Sequence, residues 1–140
     1  MQLSKNFSLA ELTKSEIGLR KNIKNMPTDK DIQNLTVLAQ TILQPIRDHI
    51  GQPLIVNSAY RSLLVNSAVG GSKTSQHMKG QAADIRVPNM EVNKLIEIII
   101  GLDLPYHQLI NEFDSWVHVS IAPNGGKPKK QVLHFKREKK

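Results

Sequence analysis

Gln108-Leu-Ile-Asn-Glu-Phe-Asp-Ser-Trp-Val-His-Val-Ser-Ile121 is the stretch on which the reading of the fold turns. Two apolar-rich runs, Gln108–Phe113 and Trp116–Ile121, flank Asp114-Ser115, and this layout predicts a β-hairpin with a tight connection. Alternation along the second run sets Trp116, His118 and Ser120 on one face and Val117, Val119 and Ile121 on the other. The branched apolar face is expected to be buried. His118 then points with Trp116, away from the core.

Working outward, Ala82-Ala-Asp-Ile-Arg-Val87 and Leu54-Ile-Val-Asn-Ser58 read as further strands, and Val132-Leu-His-Phe135 as a last one. Ser8-Leu-Ala-Glu11 has the form of a capping box and predicts a short helix ending near Ser15 to Gly18. Asn25-Met-Pro-Thr28 reads as a turn. Thr28 followed by Asp31 opens a longer helix with Ile32, Leu35, Leu38, Ile42, Ile46 and Ile50 at spacings of three and four. Pro45 lies inside that helix and is expected to kink or break it, and Gly51 to end it. Leu63–Val69 reads as a helical turn and Gly70–Ser75 as a polar loop. A helix with Val92, Leu95, Ile96 and Ile99 on one face stops at Gly101. The sum is a single α+β domain, a small antiparallel sheet with helices packed on it, with neither internal repeat nor linker.

The chain has 140 residues, 39% hydrophobic and 22% charged, which suits one globular domain and excludes both disorder throughout and a second full domain. There is no Cys, so disulfides and thiolate metal sites are excluded. The formal charge of +7 invites a nucleic-acid reading, but seven basic residues and one acid after residue 126 carry +6 of it. The body is nearly neutral and aromatic residues are only 4%, too few for base-stacking platforms, so no nucleic-acid partner is expected. The terminal charge is either a solvated end or an electrostatic arm. The first residues lack the apolar stretch of a signal peptide, and apolar runs such as Ile98–Ile100 are too short to span a membrane. Synthesis in the cytoplasm, no membrane insertion and a monomer are the corresponding expectations.

Of five histidines, two have informative surroundings. His77 sits in the polar loop leading into Ala82–Val87, where Asp84 is a lone carboxylate in an apolar strand and needs a cationic partner. His77, Asp84 and His118 together offer two imidazoles and a carboxylate, the donor set of a catalytic zinc site with a fourth position for water. The same residues are also compatible with a hydrogen-bonded Asp–His pair in the core beside an unrelated loop histidine.

Ser58-Ala-Tyr-Arg-Ser62, Val69-Gly-Gly-Ser72, the Ser75-x-His77-x-x-Gly80-x-Ala82-x-Asp84 pattern and Trp116-Val-His118-Val-Ser120 resemble the zinc D-alanyl-D-alanine carboxypeptidase family. That family includes phage L-alanyl-D-glutamate endopeptidases and belongs to a wider group shared with lysostaphin and the hedgehog signalling domain. Asn6–Leu12, Asn25–Pro27 and Leu43–Arg47 join the resemblance, which covers roughly residues 5–135. It implies a zinc peptidase domain over 1–135 followed by a basic tail at 136–140, with one Zn²⁺ held by His77, Asp84 and His118. Arg61 matches the family arginine near the substrate, where its fork suits a terminal carboxylate or a developing oxyanion. Ser72 and Ser75 are expected either to bind substrate or only to shape their loop.

A proton shuttle is also required. Many relatives place an acid three residues before the last ligand, but that position is Ser115 here. Glu112, which resembles a glutamate of this subgroup and stands where it can face His118 across the hairpin, is the first candidate. Asp114 is the second, although aspartate is also an ordinary turn residue. The implied activity is zinc-dependent hydrolysis in the peptidoglycan stem peptide, of D-Ala-D-Ala carboxypeptidase or L-Ala-D-Glu endopeptidase type. Its implied setting is a phage or prophage wall-lytic enzyme, acting after release or carried on the virion. The alternative is a zinc-stabilised wall-binding module of the same fold that has lost hydrolysis, which the acid missing at position 115 would explain.

Overall fold

In the computed structural model, which describes residues 1–136, the run opened by Thr28 is one helical rod in three pieces: α3 (Asp29–Leu38), a π-helical segment (Ala39–Leu43) and α4 (Gln44–Ile50). The Thr28 hydroxyl accepts from the Asp31 amide while the Asp31 carboxylate accepts from the Thr28 amide, closing the first turn. The break expected at Pro45 takes the form of the π segment just before it. Proline has no N–H for the carbonyl one turn back and its ring crowds that carbonyl, so the ladder widens by one residue instead of ending. The backbone stays helical through both junctions, and Leu35, Leu38, Ile42 and Ile46 remain fully buried along one stripe. Gly51, at φ 65, ends the rod.

The N-terminal region departs from the single helix predicted for it. It forms α1 (Leu9–Leu12) and α2 (Glu16–Arg20), because Ser15 caps a second start by accepting from the Gly18 amide, just as Ser8 accepts from Glu11. The Asn25 side chain then ties this region to the body, donating to the Thr13 and Tyr60 carbonyls and accepting from the Ser62 amide.

Five strands, β1 (Ile55–Ser58), β2 (Ala82–Arg86), β3 (Gln108–Glu112), β4 (Trp116–Ser120) and β5 (Gln131–Phe135), form one sheet in the order β1-β2-β4-β3-β5. The α+β class holds. The expected all-antiparallel sheet needs correcting, since β5 runs parallel to β3. The end of β4 lies beside the start of β3, where the His107 amide donates to the Ser120 carbonyl. The connection from 121 to 130 rounds that same end and brings the Gln131 amide to the His107 carbonyl. A connection of this length, unlike a tight turn, allows the strand to start level with β3 and follow its direction. Phe135 therefore finishes beside Glu112. Of the basic tail expected at 136–140, only Lys136 is among the described residues.

One apolar cluster joins the rod, the β-strand residues Ala83, Ile85, Leu109, Val117 and Val119, and Leu95 and Ile99 of the helix Val92–Gly101. A one-residue slip of β4 would turn Val117 and Val119 out of this core, forfeiting about 1.5–3 kcal/mol for each buried side chain. Core packing thus pins the register, and with it the direction of the residues on the opposite face. Among the described residues no helix is long and apolar enough to cross a membrane.

Candidate metal centre

On the sheet face opposite the core, Asp84 of β2 stands directly beside His118 of β4. His77 arrives from a 3₁₀ turn (Gln76–Lys79) just before β2. Its N-cap is Ser75, whose hydroxyl accepts from the His77 amide at 3.2 Å, and the turn closes at Gly80 with φ 71. A Cβ on Gly80 would sit 2.5 Å from the Asp31 carbonyl oxygen and 2.9 Å from Leu35 Cγ, so the turn docks on the rod only as glycine. Gly80→Ala is expected to lower the thermal midpoint of the metal-free protein, at a cost above ~1 kcal/mol from the left-handed conformation alone. An unchanged midpoint in a thermal unfolding scan would contradict this account of the turn.

Asp84 Oδ1 lies 3.2 Å from His77 Nε2 and 3.1 Å from His118 Nδ1. The three atoms that could hold a metal ion fall within 4.8 Å of one another. His77 Nδ1 is 2.7 Å from the Ala59 carbonyl, which can only accept, so this nitrogen carries a proton and the bond fixes the ring with Nε2 turned toward Asp84. Two imidazole nitrogens and one carboxylate oxygen converging on one point form a donor set that fits zinc. Burial by itself would raise the Asp84 carboxyl, but hydrogen bonding and charge from His118 and His77 hold it far below the usual carboxylate range.

The other oxygen of Asp84 has a separate partner. Arg61 donates from Nη2 to Asp84 Oδ2 at 3.1 Å, from Nε to Ser58 Oγ at 3.0 Å and from Nη1 to Asn66 Oδ1 at 3.3 Å. Its backbone amide also donates to the His77 carbonyl, joining the arginine to the ligand turn. The whole group opens onto a cleft of about 450 Å³ whose walls include Arg61, Ser72, Ser75, Glu112 and Trp116. Both serines are engaged within their loop, Ser75 with the His77 amide and Ser72 with Thr74, while bordering the cleft.

Glu112 reaches the cleft by a different register from the one its sequence position suggests. The residue paired with His118 is Ile110, and Glu112 pairs with Trp116, so it approaches His118 diagonally. Burial, and next the negative charge of Asp84, raise the Glu112 carboxyl above its ordinary value against the opposing pull of His118. The Trp116 indole N–H is buried and makes no hydrogen bond to any described residue.

Asp114 lies elsewhere. At the hairpin tip the chain takes left-handed conformations at Phe113 (φ 60) and Asp114 (φ 54). The Asp114 carboxylate accepts from Asn111 Nδ2 at 2.8 Å and its amide donates to Asn111 Oδ1, which places it on the core side of the hairpin and outside the cleft. Asn66, 2% exposed and bonded to Arg61, is the residue that the sequence did not flag. A single polar residue within a short helix carries no periodic or spacing signal.

A His–Asp–His set that could hold a metal ion, an arginine fork and a second carboxylate share one cleft on an α+β scaffold, an arrangement that suits a metallopeptidase. Residues 5–120 match the family model described as peptidase M15, and the chain belongs to that family. A segment of 44 residues is 48% identical to the zinc D-Ala-D-Ala carboxypeptidase of Streptomyces albus G, covering 31% of this chain and 17% of that protein.

Proposed function

We propose that this chain hydrolyses peptide bonds in the peptidoglycan stem peptide, and that Glu112 moves the proton. The observation that carries the reading is that Glu112, Arg61 and the His77–Asp84–His118 set line the same cleft. His77 Nε2, Asp84 Oδ1 and His118 Nδ1 are the atoms that would hold the metal. Zinc supplies Lewis-acid polarisation of a carbonyl and brings the pKa of water down to about 7. The residues of the chain do the rest. Glu112 accepts the proton of the attacking water at its carboxylate and returns it to the leaving nitrogen as the C–N bond breaks. Arg61, held by three hydrogen bonds, directs its remaining N–H groups to a substrate carboxylate or to the negative charge growing on the carbonyl oxygen.

The named activity of the Streptomyces relative supports a bond next to a D-amino acid, and the L-Ala-D-Glu link is the other candidate. A setting in phage-driven wall lysis belongs to the same proposal. Incubation of the zinc-loaded protein with purified peptidoglycan, followed by mass spectrometry of the fragments, is expected to show a new amine and a new carboxyl terminus at one stem-peptide bond. Activity that survives chelation, or that persists in His118→Ala, would overturn the reading.

A further inference from the structure

We infer that Asn66 is a positioning residue that aims the Arg61 guanidinium into the cleft. This deepens the proposed peptidase reading and rests on it for the substrate role of Arg61. The Asn66 side chain is 2% exposed and uses both ends of its amide. Its Oδ1 accepts from Arg61 Nη1 at 3.3 Å, and its Nδ2 donates to the Ser72 carbonyl at 2.9 Å. Its own carbonyl accepts from the Gly71 amide at 2.9 Å.

Asn66 therefore clamps the 70–72 loop and the arginine with one planar group. The fit is tight, because a Cβ on Gly71 would lie 2.1 Å from Asn66 Oδ1 and 3.1 Å from Arg61 Nη1. Arg61 has five N–H donors in a fixed plane. Ser58 and Asp84 hold the Nε and Nη2 side, and without Asn66 the Nη1 side is left unheld. Glycine at position 71 is what lets the amide come close enough to hold it. An aspartate at 66 would still accept from Arg61 but would turn a second acceptor on the Ser72 carbonyl.

The first measurement uses the full, metal-free chain and nitrogen-detected NMR of the guanidinium. Restricted rotation in the parent protein is expected to give separate Arg61 Nη signals, which merge in Asn66→Ala and stay separate in Asn66→Asp. Separate signals in Asn66→Ala, or merged ones in Asn66→Asp, overturn the inference. Should Asn66→Ala fail to fold, Gly71→Ala displaces the same amide without deleting it and is expected to merge the signals; signals that remain separate count against the inference.

The second measurement is a double-mutant cycle on kcat and KM with a stem-peptide substrate. Asn66→Ala is expected to cost up to about 100-fold in kcat/KM when Arg61 is present, the scale of a substrate-holding group misplaced by ~1 Å. In an Arg61→Ala background the same change is expected to cost less than about twofold, because the two residues act as one. Losses that simply multiply would show that Asn66 acts by another route. A parent protein that cleaves nothing would refute the peptidase reading, while the NMR result still decides whether Asn66 orders Arg61.

Discussion

Asp84→Asn is expected to abolish zinc retention and, with it, hydrolysis, while leaving the protein folded. The substitution keeps the size of the side chain and removes its charge. Outer partners of metal ligands are each worth about 10–100-fold in affinity, so loss of a direct carboxylate ligand should exceed about 100-fold. The metal-free fold has little reason to fail. An asparagine Nδ2 can donate to a neutral His77 at Nε2, and its Oδ1 can accept from Arg61 in place of the present oxygen. Arg61 loses its counter-ion, but it keeps Ser58 and Asn66 and borders an open cleft.

The pH dependence should separate the two proteins. The folded state holds the Asp84 carboxyl far below its ordinary value, so the ion contributes stability above the unfolded value of about 3.9 that is lost as pH falls below it. Metal-free parent protein is therefore expected to lose thermal midpoint more steeply than Asp84→Asn below about pH 4. Zinc measured by mass spectrometry under non-denaturing conditions, at parental occupancy in Asp84→Asn, would remove Asp84 from the ligand set.

Glu112→Gln is expected to give the opposite pattern, with normal zinc content, normal stability and a kcat lower by about 10²–10⁴-fold. Glutamine fills the same place between Trp116 and the cleft but cannot take up a proton. Burial and the charge of Asp84 already make this carboxylate a better proton acceptor than an exposed glutamate, which suits a group that takes a proton and gives it back. Asp114→Asn is the matched control. Its carboxylate serves the hairpin tip through Asn111, so kcat should change by less than about threefold. A large loss in Asp114→Asn with little change in Glu112→Gln would exchange the two roles.

These contrasts mark where sequence reading reaches its limit. Alternation along Trp116–Ile121 is a local property, and it alone separated His118 from the valines of the core. The same reasoning applies to Asp84, since a lone carboxylate in Ala82–Val87 has to find a cation, and the fold gives it two imidazoles and a guanidinium. Pro45 announced an irregularity in the rod, yet whether the helix would break or widen depended on Leu38, Ile42 and Ile46 sharing one core stripe.

The choice between Glu112 and Asp114 lay outside local pattern. Both are acids close to the same turn; strand pairing with Trp116 turns Glu112 toward the cleft, and the left-handed conformations at Phe113 and Asp114 send the other acid toward Asn111. The parallel pairing of β5 was equally hidden, because strand direction depends on where a ten-residue connection is anchored, here by backbone bonds to Tyr106 and His107. Asn66 was hidden for a related reason, since its partners Arg61 and Ser72 are chosen by how a short helix and a loop pack.

The sequence by itself therefore determined the α+β class and the sheet face that Asp84 and His118 share, while the full candidate set with His77 came from the family resemblance. The class and the face follow from side-chain chemistry and from periods of two and 3.6 residues, which need no distant partner. Tertiary structure alone decided that Asp114 stays out of the cleft that Glu112 borders, which direction the last strand runs and what holds Arg61. Those depend on register and on hydrogen bonds across the fold, where the free energy of the whole core selects one arrangement among several that are locally equivalent.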